Sequence, residues 1–532
     1  MGISVGYWCP VLHAHLPYVR HPEYPEFLEE DWFFEALTET YIPILRVLDG
    51  LVRDRVEYRL TMTLSPPLVS MMTDELLIER YNRHLDRLVE LATRETRRTK
   101  REQPHLEDLA WWYLRELEDV RRLFRDEWGN NVVGAFRRHL DSGRLEVVTC
   151  AATHGFLPLM DPVPQAVRAQ VQVAVQHYRK HFDRDPAGIW LPECAYLPGH
   201  EVYLKEAGLR FSFLEAHGLT EAHPRPSFGV HAPIASPGGI VFFGRDMESS
   251  RQVWSSESGY PGDFDYREFY KDIGWELPME YLADFLPDGQ RKNLGIKYHR
   301  VSGRGVDLAH KQPYVRPWAM EKAAQHAGNF LLNREQQIRH LAAHMDRPPI
   351  VVSPYDAELF GHWWFEGPQF LDYLFRKMHH DQDVVKAITP SEYLDRHDEL
   401  ELCQPPMSTW GAQGYAEVWL NSSNDWIYPH LDMTAERMVE LARRHEHPGD
   451  VERRALNQAA RELLLAQSSD WAFIMKTNTT VEYANKRTRD HIARFDYLYR
   501  ALTGQCELEE PIVREFEERD NIFPDLDYRV YR

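Results

Sequence analysis

Seven short β-like runs, most of them apolar along their whole length, recur down this 532-residue chain, at residues 5–12, 58–64, 145–150, 188–191, 211–214, 240–243 and 350–353. A strand with one wet face alternates apolar and polar residues. A strand that is apolar throughout is covered on both faces, which is the condition of a parallel sheet. Helical periodicity separates several of the runs, as at 166–181 and 200–208. Repetition of strand and helix is an α/β architecture, and seven such strands predict a distorted parallel (β/α)7 barrel whose functional groups lie just past the strand C-termini.

The rhythm breaks twice. Between residues 74 and 130, Leu77, Tyr81, Leu85, Leu88 and Leu91 keep a helical spacing, and Leu106, Leu109, Leu114, Leu117 and Val120 resume it after Pro104. This predicts a helical insertion whose many Arg and Glu side chains form a solvated outer face. Beyond residue 396 the β runs thin out, and Ile492, Phe495, Leu498 and Leu502 share one helical face before Gly504. The expected organisation is a catalytic barrel over 1–396, carrying the insertion 74–130, followed by a C-terminal helical domain over 397–532 that contributes to the active-site cleft.

Composition narrows the partners. A net charge of -20 argues against nucleic acid, which needs basic clusters to displace counterions. Five cysteines in no paired spacing suit a reducing cytoplasm, and neither a leader nor an apolar run of about 18 residues is legible, so no membrane partner is expected. The chain is rich in aromatics, with 15 Trp, 26 Tyr and 24 Phe. Most must be core, yet tryptophan also makes platforms for flat sugar faces.

Two strand ends deliver an acid among aromatics. "GIWLPECAY" presents Glu193 after Trp190 and Pro192, and "VVSPYDAELFGHWW" presents Asp356, followed by Glu358, His362, Trp363 and Trp364. Retaining glycoside chemistry needs two carboxyl groups about 5 Å apart, one to attack the anomeric carbon and one to move a proton on the glycosidic oxygen. Either acid fits either role on this logic alone. Around them, "LHAHLPY" sets His13 and His15 on one side of the first strand, "THGFLP" supplies His154, "GRLEVV" carries Glu146, and "SSDWAF" brings Asp470. Trp410 and Trp419 follow in "STWG" and "VWLN".

Five stretches in order, "HAHLPY", "GRLEVV", "IWLPEC", "YDAELFGHWW" and "SSDWAF", resemble the five sequence regions of family 57 glycoside hydrolases. The resemblance spans almost the whole chain. It implies an incomplete seven-stranded barrel with a helical insertion and a helical C-terminal domain, with Glu193 as nucleophile and Asp356 as general acid/base. Within the family the likeness is greatest to 1,4-α-glucan branching enzymes, which implies an α-1,4-glucan substrate, no cofactor and no metal. By that likeness His13, His15, His154 and Asp470 hold the attacked glucose ring, and Trp410 and Trp419 line the cleft. Tyr260, in the Gly-, Ser- and Asp-containing loop at 245–266, is assigned as a lid tyrosine, and Trp275 as a further cleft tryptophan.

The expected reaction is a double displacement in which a sugar 6-hydroxyl, not water, takes the glucan from the enzyme. A 4-α-glucanotransferase or α-amylase of the same family would share the catalytic residues. A metal-dependent hydrolase of the deacetylase or α-mannosidase type would use the HxH pair as ligands. A non-catalytic glucan-binding scaffold would keep the tryptophans without needing two acids. The sequence leaves oligomeric state open, with a monomer the simplest case.

Overall fold

The computed structural model describes residues 5–255, 259–286 and 289–532. Ten strands are described: β1 (Gly6–Ala14), β2 (Leu60–Leu64), β3 (Leu145–Cys150), β4 (Ile189–Trp190), β5 (Phe211–Leu214), β6 (Ile234–Ala235), β7 (Val241–Gly244), β8 (Ile350–Asp356), β9 (Val385–Ala387) and β10 (Glu401–Leu402). The seven expected runs are all strands. The other three, β6, β9 and β10, have two or three residues each, too few to show a period.

The strands form two sheets, β4-β3-β2-β1-β8 with β9 added to β1, and β10-β6-β7-β5. Every ladder is parallel except β6 with β7. Single parallel bridges join the sheets at both seams, Gly188 to Phe211 and Arg245 to Val352. The seven long runs therefore follow one another around a ring, distorted where a ladder shrinks to one bridge. No side chain fits at the first seam, because a Cβ on Gly188 would lie 2.2 Å from the Phe211 ring.

Residues on β1 are buried on both faces, as its unbroken apolar sequence requires. Tyr7, Cys9 and Val11 share an inner cluster with Val148, Cys150, Trp190, Phe213, Ile350 and Val352. Trp8, Leu12 and Ala14 pack outward with the helices. The period of two then carries His13 onto the inward face of β1, and carries Asp356 onto the face of β8 shared by Ile350 and Val352. His13 and Asp356 are register partners at the strand ends.

The insertion is a helical hairpin of Glu75–Glu102 and Glu107–Arg122, started by Asp74, whose side chain accepts from the Leu77 N–H at 3.0 Å. Regular helix in the C-terminal part begins at Tyr428. Residues before it stay with the barrel side: β10 pairs with β6, and Tyr196 bridges Ser408. The C-terminal helices dock through buried polar contacts, including His21 Nε2 to the Tyr483 hydroxyl at 2.8 Å.

Candidate active site

Glu193, Asp356, His13, His15, His154, Trp410, Trp419 and Asp470 all line one cleft of about 1010 Å³ at the C-terminal ends of the strands. Glu193 follows β4 directly. Its backbone is left-handed, φ 61 and ψ 22, as are those of Cys194 at φ 50 and His154 at φ 59. For non-glycine residues this conformation costs of order 1–3 kcal/mol each, and such residues cluster at functional sites. The strain at Glu193 is opposed by Trp410, whose backbone N–H donates to the Glu193 carbonyl at 3.0 Å. The indole Nε1 of the same tryptophan donates to Glu193 Oε2 at 2.8 Å.

Burial pushes the Glu193 carboxyl up to about 8; the Trp410 hydrogen bond opposes that rise, and the negative charges of Asp356 and Asp470 add to it. Burial also raises Asp356, to about 6, against the pull of Arg245 and His15. Like-charged carboxyls sharing a dry site cannot both ionise freely.

The histidines form a ladder beneath the pair. His13 lies flat on Trp190, with ring centroids 4.7 Å apart, and its Nε2 meets His154 Nε2 at 3.0 Å. His15 stacks on His154 at 3.8 Å with 8° between planes. Nδ1 of His15 bonds Ser65 Oγ at 2.8 Å and Nε2 donates to Asp470 at 3.0 Å. Burial would raise Asp470, but His15 and the other donors around it prevail and hold it at about 2. A charged carboxylate there fixes the proton of His15 on Nε2.

His15, His154 and Asp470 bring potential ligand atoms within 4.8 Å of one another. The arrangement does not suit a cation. Imidazole lone pairs lie in the ring plane, so two rings stacked within 8° aim theirs in parallel and not at one point. Both nitrogens of each ring are also already engaged.

Two expected residues lie apart from this group. Trp275 is not among the residues lining the cleft; it is 54% exposed on the short helix Ile273–Glu276 and donates to Asn293 Oδ1 at 2.9 Å. Tyr260 packs on His326 at 4.5 Å and donates to Asn329 at 2.7 Å, while its neighbours Pro261 and Gly262 reach the cleft. The loop expected at 245–266 opens instead with a helix, Met247–Trp254, capped by Asp246 accepting from the Ser249 N–H at 2.8 Å; residues 256–258 lie outside the described residues. Trp419 lines the cleft yet is 1% exposed, packed at a tilt against Phe156 with ring centroids 4.8 Å apart, so it walls the cleft with little free face. Glu146 sits at the other end of β3, bound to Ser391.

The cleft also holds residues to which the sequence alone assigns no role, although Glu358 and Trp363 stand in the quoted stretches. Glu358, two residues past Asp356, accepts from the Tyr41 hydroxyl and the His15 N–H, and burial pushes it up to about 8. Arg245 follows β7 directly and pairs with Glu215 at 2.9 Å. The strand-end rule that found Glu193 and Asp356 applies equally to both. The rim adds aromatics with free surface: Trp254, Tyr270, Trp363 and Phe473 are 44–67% exposed. Phe269 stacks on Trp363 at 4.4 Å. Rings of this kind can serve as sugar platforms, and the carboxyls of Glu193, Asp356 and Glu358 have the chemistry of acid-base or nucleophilic groups.

Known proteins resemble this chain in sequence and fold. Residues 11–345 match the model of glycosyl hydrolase family 57, and residues 430–531 match that of the 1,4-alpha-glucan branching enzyme C-terminal region. A 1,4-alpha-glucan branching enzyme of Thermococcus kodakarensis is 33% identical over 97% of this chain and 77% of its own length. The crystal structure of a Thermotoga maritima protein described as a novel alpha-amylase superposes with a TM-score of 0.93 at 45% identity, covering 99% of both chains. That of a family 57-type branching enzyme from Pyrococcus horikoshii gives 0.88 at 32%, covering 99% of this chain and 97% of the other. On the match over 11–345 and the likeness to the Thermococcus enzyme, the chain belongs to glycosyl hydrolase family 57.

Proposed function

We propose that the protein is a 1,4-α-glucan branching enzyme that cleaves α-1,4 links and rejoins the freed chain through an α-1,6 link, with Glu193 as nucleophile and Asp356 as general acid/base. The observation that carries this reading is the pair of half-buried carboxyls from two strand ends in one aromatic cleft, in a chain whose residues 430–531 match the C-terminal region of branching enzymes. Glu193 attacks the anomeric carbon as Asp356 protonates the departing oxygen, leaving a covalent glucosyl ester. Asp356 then takes the proton of an incoming 6-hydroxyl, which displaces Glu193 with overall retention. His13, His15, His154 and Asp470 hold the ring under attack, and Trp410 keeps the nucleophile in place. Trp419 walls the cleft. Pro261 and Gly262, beside Tyr260, belong to the rim that keeps water out.

Hydrolysis is the second reading, favoured by the 45% identity to the Thermotoga protein described as an alpha-amylase. Both reactions share the first step and divide on whether water or a sugar hydroxyl arrives. Proton NMR of amylose incubated with the purified protein separates them. Growth of the α-1,6 anomeric signal, undiminished by a chelator, is the expected result. Reducing ends without that signal would make the protein an amylase, and loss of activity with the chelator would return the metal-dependent reading.

A further inference from the structure

Trp410 holds one oxygen of Glu193, and the other faces the C-terminal helices. Ser469, 3% exposed, opens the helix Ser469–Thr477, yet its hydroxyl does not cap that helix. It lies 2.8 Å from His154 Nδ1 and 3.5 Å from Glu193 Oε1. Two backbone contacts fix it there: its N–H donates to the His154 carbonyl at 3.0 Å, and Ser468 bridges Gly155. We infer that Ser469 is a positioning residue for the nucleophile: its hydroxyl ties Glu193 to the buried histidines and makes the carboxylate's orientation depend on docking of the C-terminal helices. The inference rests on the reading of Glu193 as nucleophile.

The proton directions follow from counting. A serine hydroxyl has one proton, so if it donates to Glu193 it must accept from His154 Nδ1–H. A neutral His154 then has a bare Nε2, which accepts from His13 Nε2–H across their 3.0 Å contact. That leaves His13 Nδ1 bare, and it is a buried nitrogen with no hydrogen-bond partner among the described residues. Burial holds both histidines well below the usual range, so neither needs a second proton. A one-way chain thus runs from His13 through His154 and Ser469 and ends by donating to a carboxylate. The last link is long, as catalytic hydrogen bonds in empty sites commonly are.

The groups bearing on Glu193 come from several elements. Asp356 at the end of β8 and Asp470 beside Ser469 raise it, while the Trp410 and Ser469 donors lower it. His154 is neutral, and Arg245 after β7 is paired with Glu215. Removing the Ser469 donor leaves the two negative neighbours less opposed.

The test compares Ser469→Ala, Ser469→Thr and Glu193→Ala in the full chain, with kcat, KM and the pH profile of glucan cleavage read for each. Ser469→Ala is expected to lower kcat about tenfold with KM nearly unchanged, and, because the bound complex carries its proton on Asp356 so that the acid limb of kcat titrates Glu193, to move that limb up by about half a pH unit. Ser469→Thr, which keeps the hydroxyl, is expected to regain part of both. A wild-type profile and kcat in Ser469→Ala, or a fall in kcat with an unmoved acid limb, overturns the role of Ser469 while leaving the nucleophile reading intact, provided Glu193→Ala is inactive. An active Glu193→Ala overturns both. If Ser469→Ala melts well below the parent, Ser469→Cys, of similar volume and weaker donor strength, takes the same readings.

Discussion

Trp410 grips Glu193 twice, through its indole Nε1 to Oε2 at 2.8 Å and through its backbone N–H to the Glu193 carbonyl at 3.0 Å. The two residues are 217 apart in sequence. One grip steadies a left-handed backbone, and the other aims a carboxylate and favours its charged form. The indole is itself set edge-on against Trp190 at 4.9 Å, so its donor cannot swing away. On the proposed function, one side chain would thus both line the cleft and orient the nucleophile.

Trp410→Phe keeps an aromatic ring and removes only the side-chain donor. A hydrogen bond to a charged group contributes about 1.5–3 kcal/mol, so kcat should fall roughly 10- to 100-fold. KM should change less, since stacking is retained. Steady-state kinetics on amylose decide it, and a loss confined to KM would show that Trp410 serves only as a platform.

The carboxyl pair predicts a bell-shaped pH profile. Glu193 is raised to about 8 and Asp356 to about 6, chiefly by burial. The first step needs one proton on the pair. Below about 6 both carboxyls fill and the nucleophile is lost; above about 8 the last proton leaves and the acid is lost. In the empty cleft that proton sits on Glu193, so binding of the glucan must pass it to Asp356. The limbs of kcat should accordingly differ from those of kcat/KM. Rates that hold steady down to pH 4 would contradict the pairing.

What the sequence made legible follows from how each feature is encoded. The seven strands of the ring are readable because most of them, buried on both faces, carry unbroken apolar runs, and His13 and Asp356 because a period of two projects them inward from such strands. Ser469 was within a quoted stretch but gave no sign of its role, since its partners His154 and Glu193 come from other parts of the chain and meet it only on folding. Arg245 and Glu358 obey the strand-end rule, but a strand end alone does not distinguish a cleft residue from a salt-bridge partner, which Arg245 also is. The helix Met247–Trp254 was hidden by Ser and Gly content that reads as a loop, although Asp246 with Ser249 is a cap signature. Trp275 was placed by analogy in a variable segment, where neither period nor spacing constrains a side chain, and it lies on the outside.

Asp470 links catalysis to stability. Its carboxyl is held at about 2, below its usual range, so its stabilising contribution is complete above about 4 and disappears as pH falls through about 2. The shift corresponds to about 2 kcal/mol. Asp470→Asn should remove that contribution, lowering Tm by a few degrees at pH 7 and leaving it unaltered relative to the parent near pH 2. It should also free the His15 tautomer and reduce kcat about 100-fold or more. Melting curves across pH separate these effects. Equal destabilisation at both pH values would assign the loss to packing.

The balance between branching and hydrolysis should be set at the cleft rim. Trp363 is 54% exposed and backed by Phe269 at 4.4 Å, which is itself covered by the Lys297 ammonium at 4.4 Å from its ring. A rigid, half-free indole of this kind can hold an acceptor chain over the glucosyl ester while leaving the first step untouched. Stacking of this sort contributes about 0.5–1.5 kcal/mol beyond the area buried. Trp363→Ala should therefore lower transfer relative to hydrolysis about 3- to 10-fold, with the rate of enzyme glycosylation close to the parent. The ratio of α-1,6 links formed to reducing ends released reads this directly. If both products fall together, Trp363 contacts the donor chain, and the acceptor must lie along another part of the rim, such as Trp254 or Phe473.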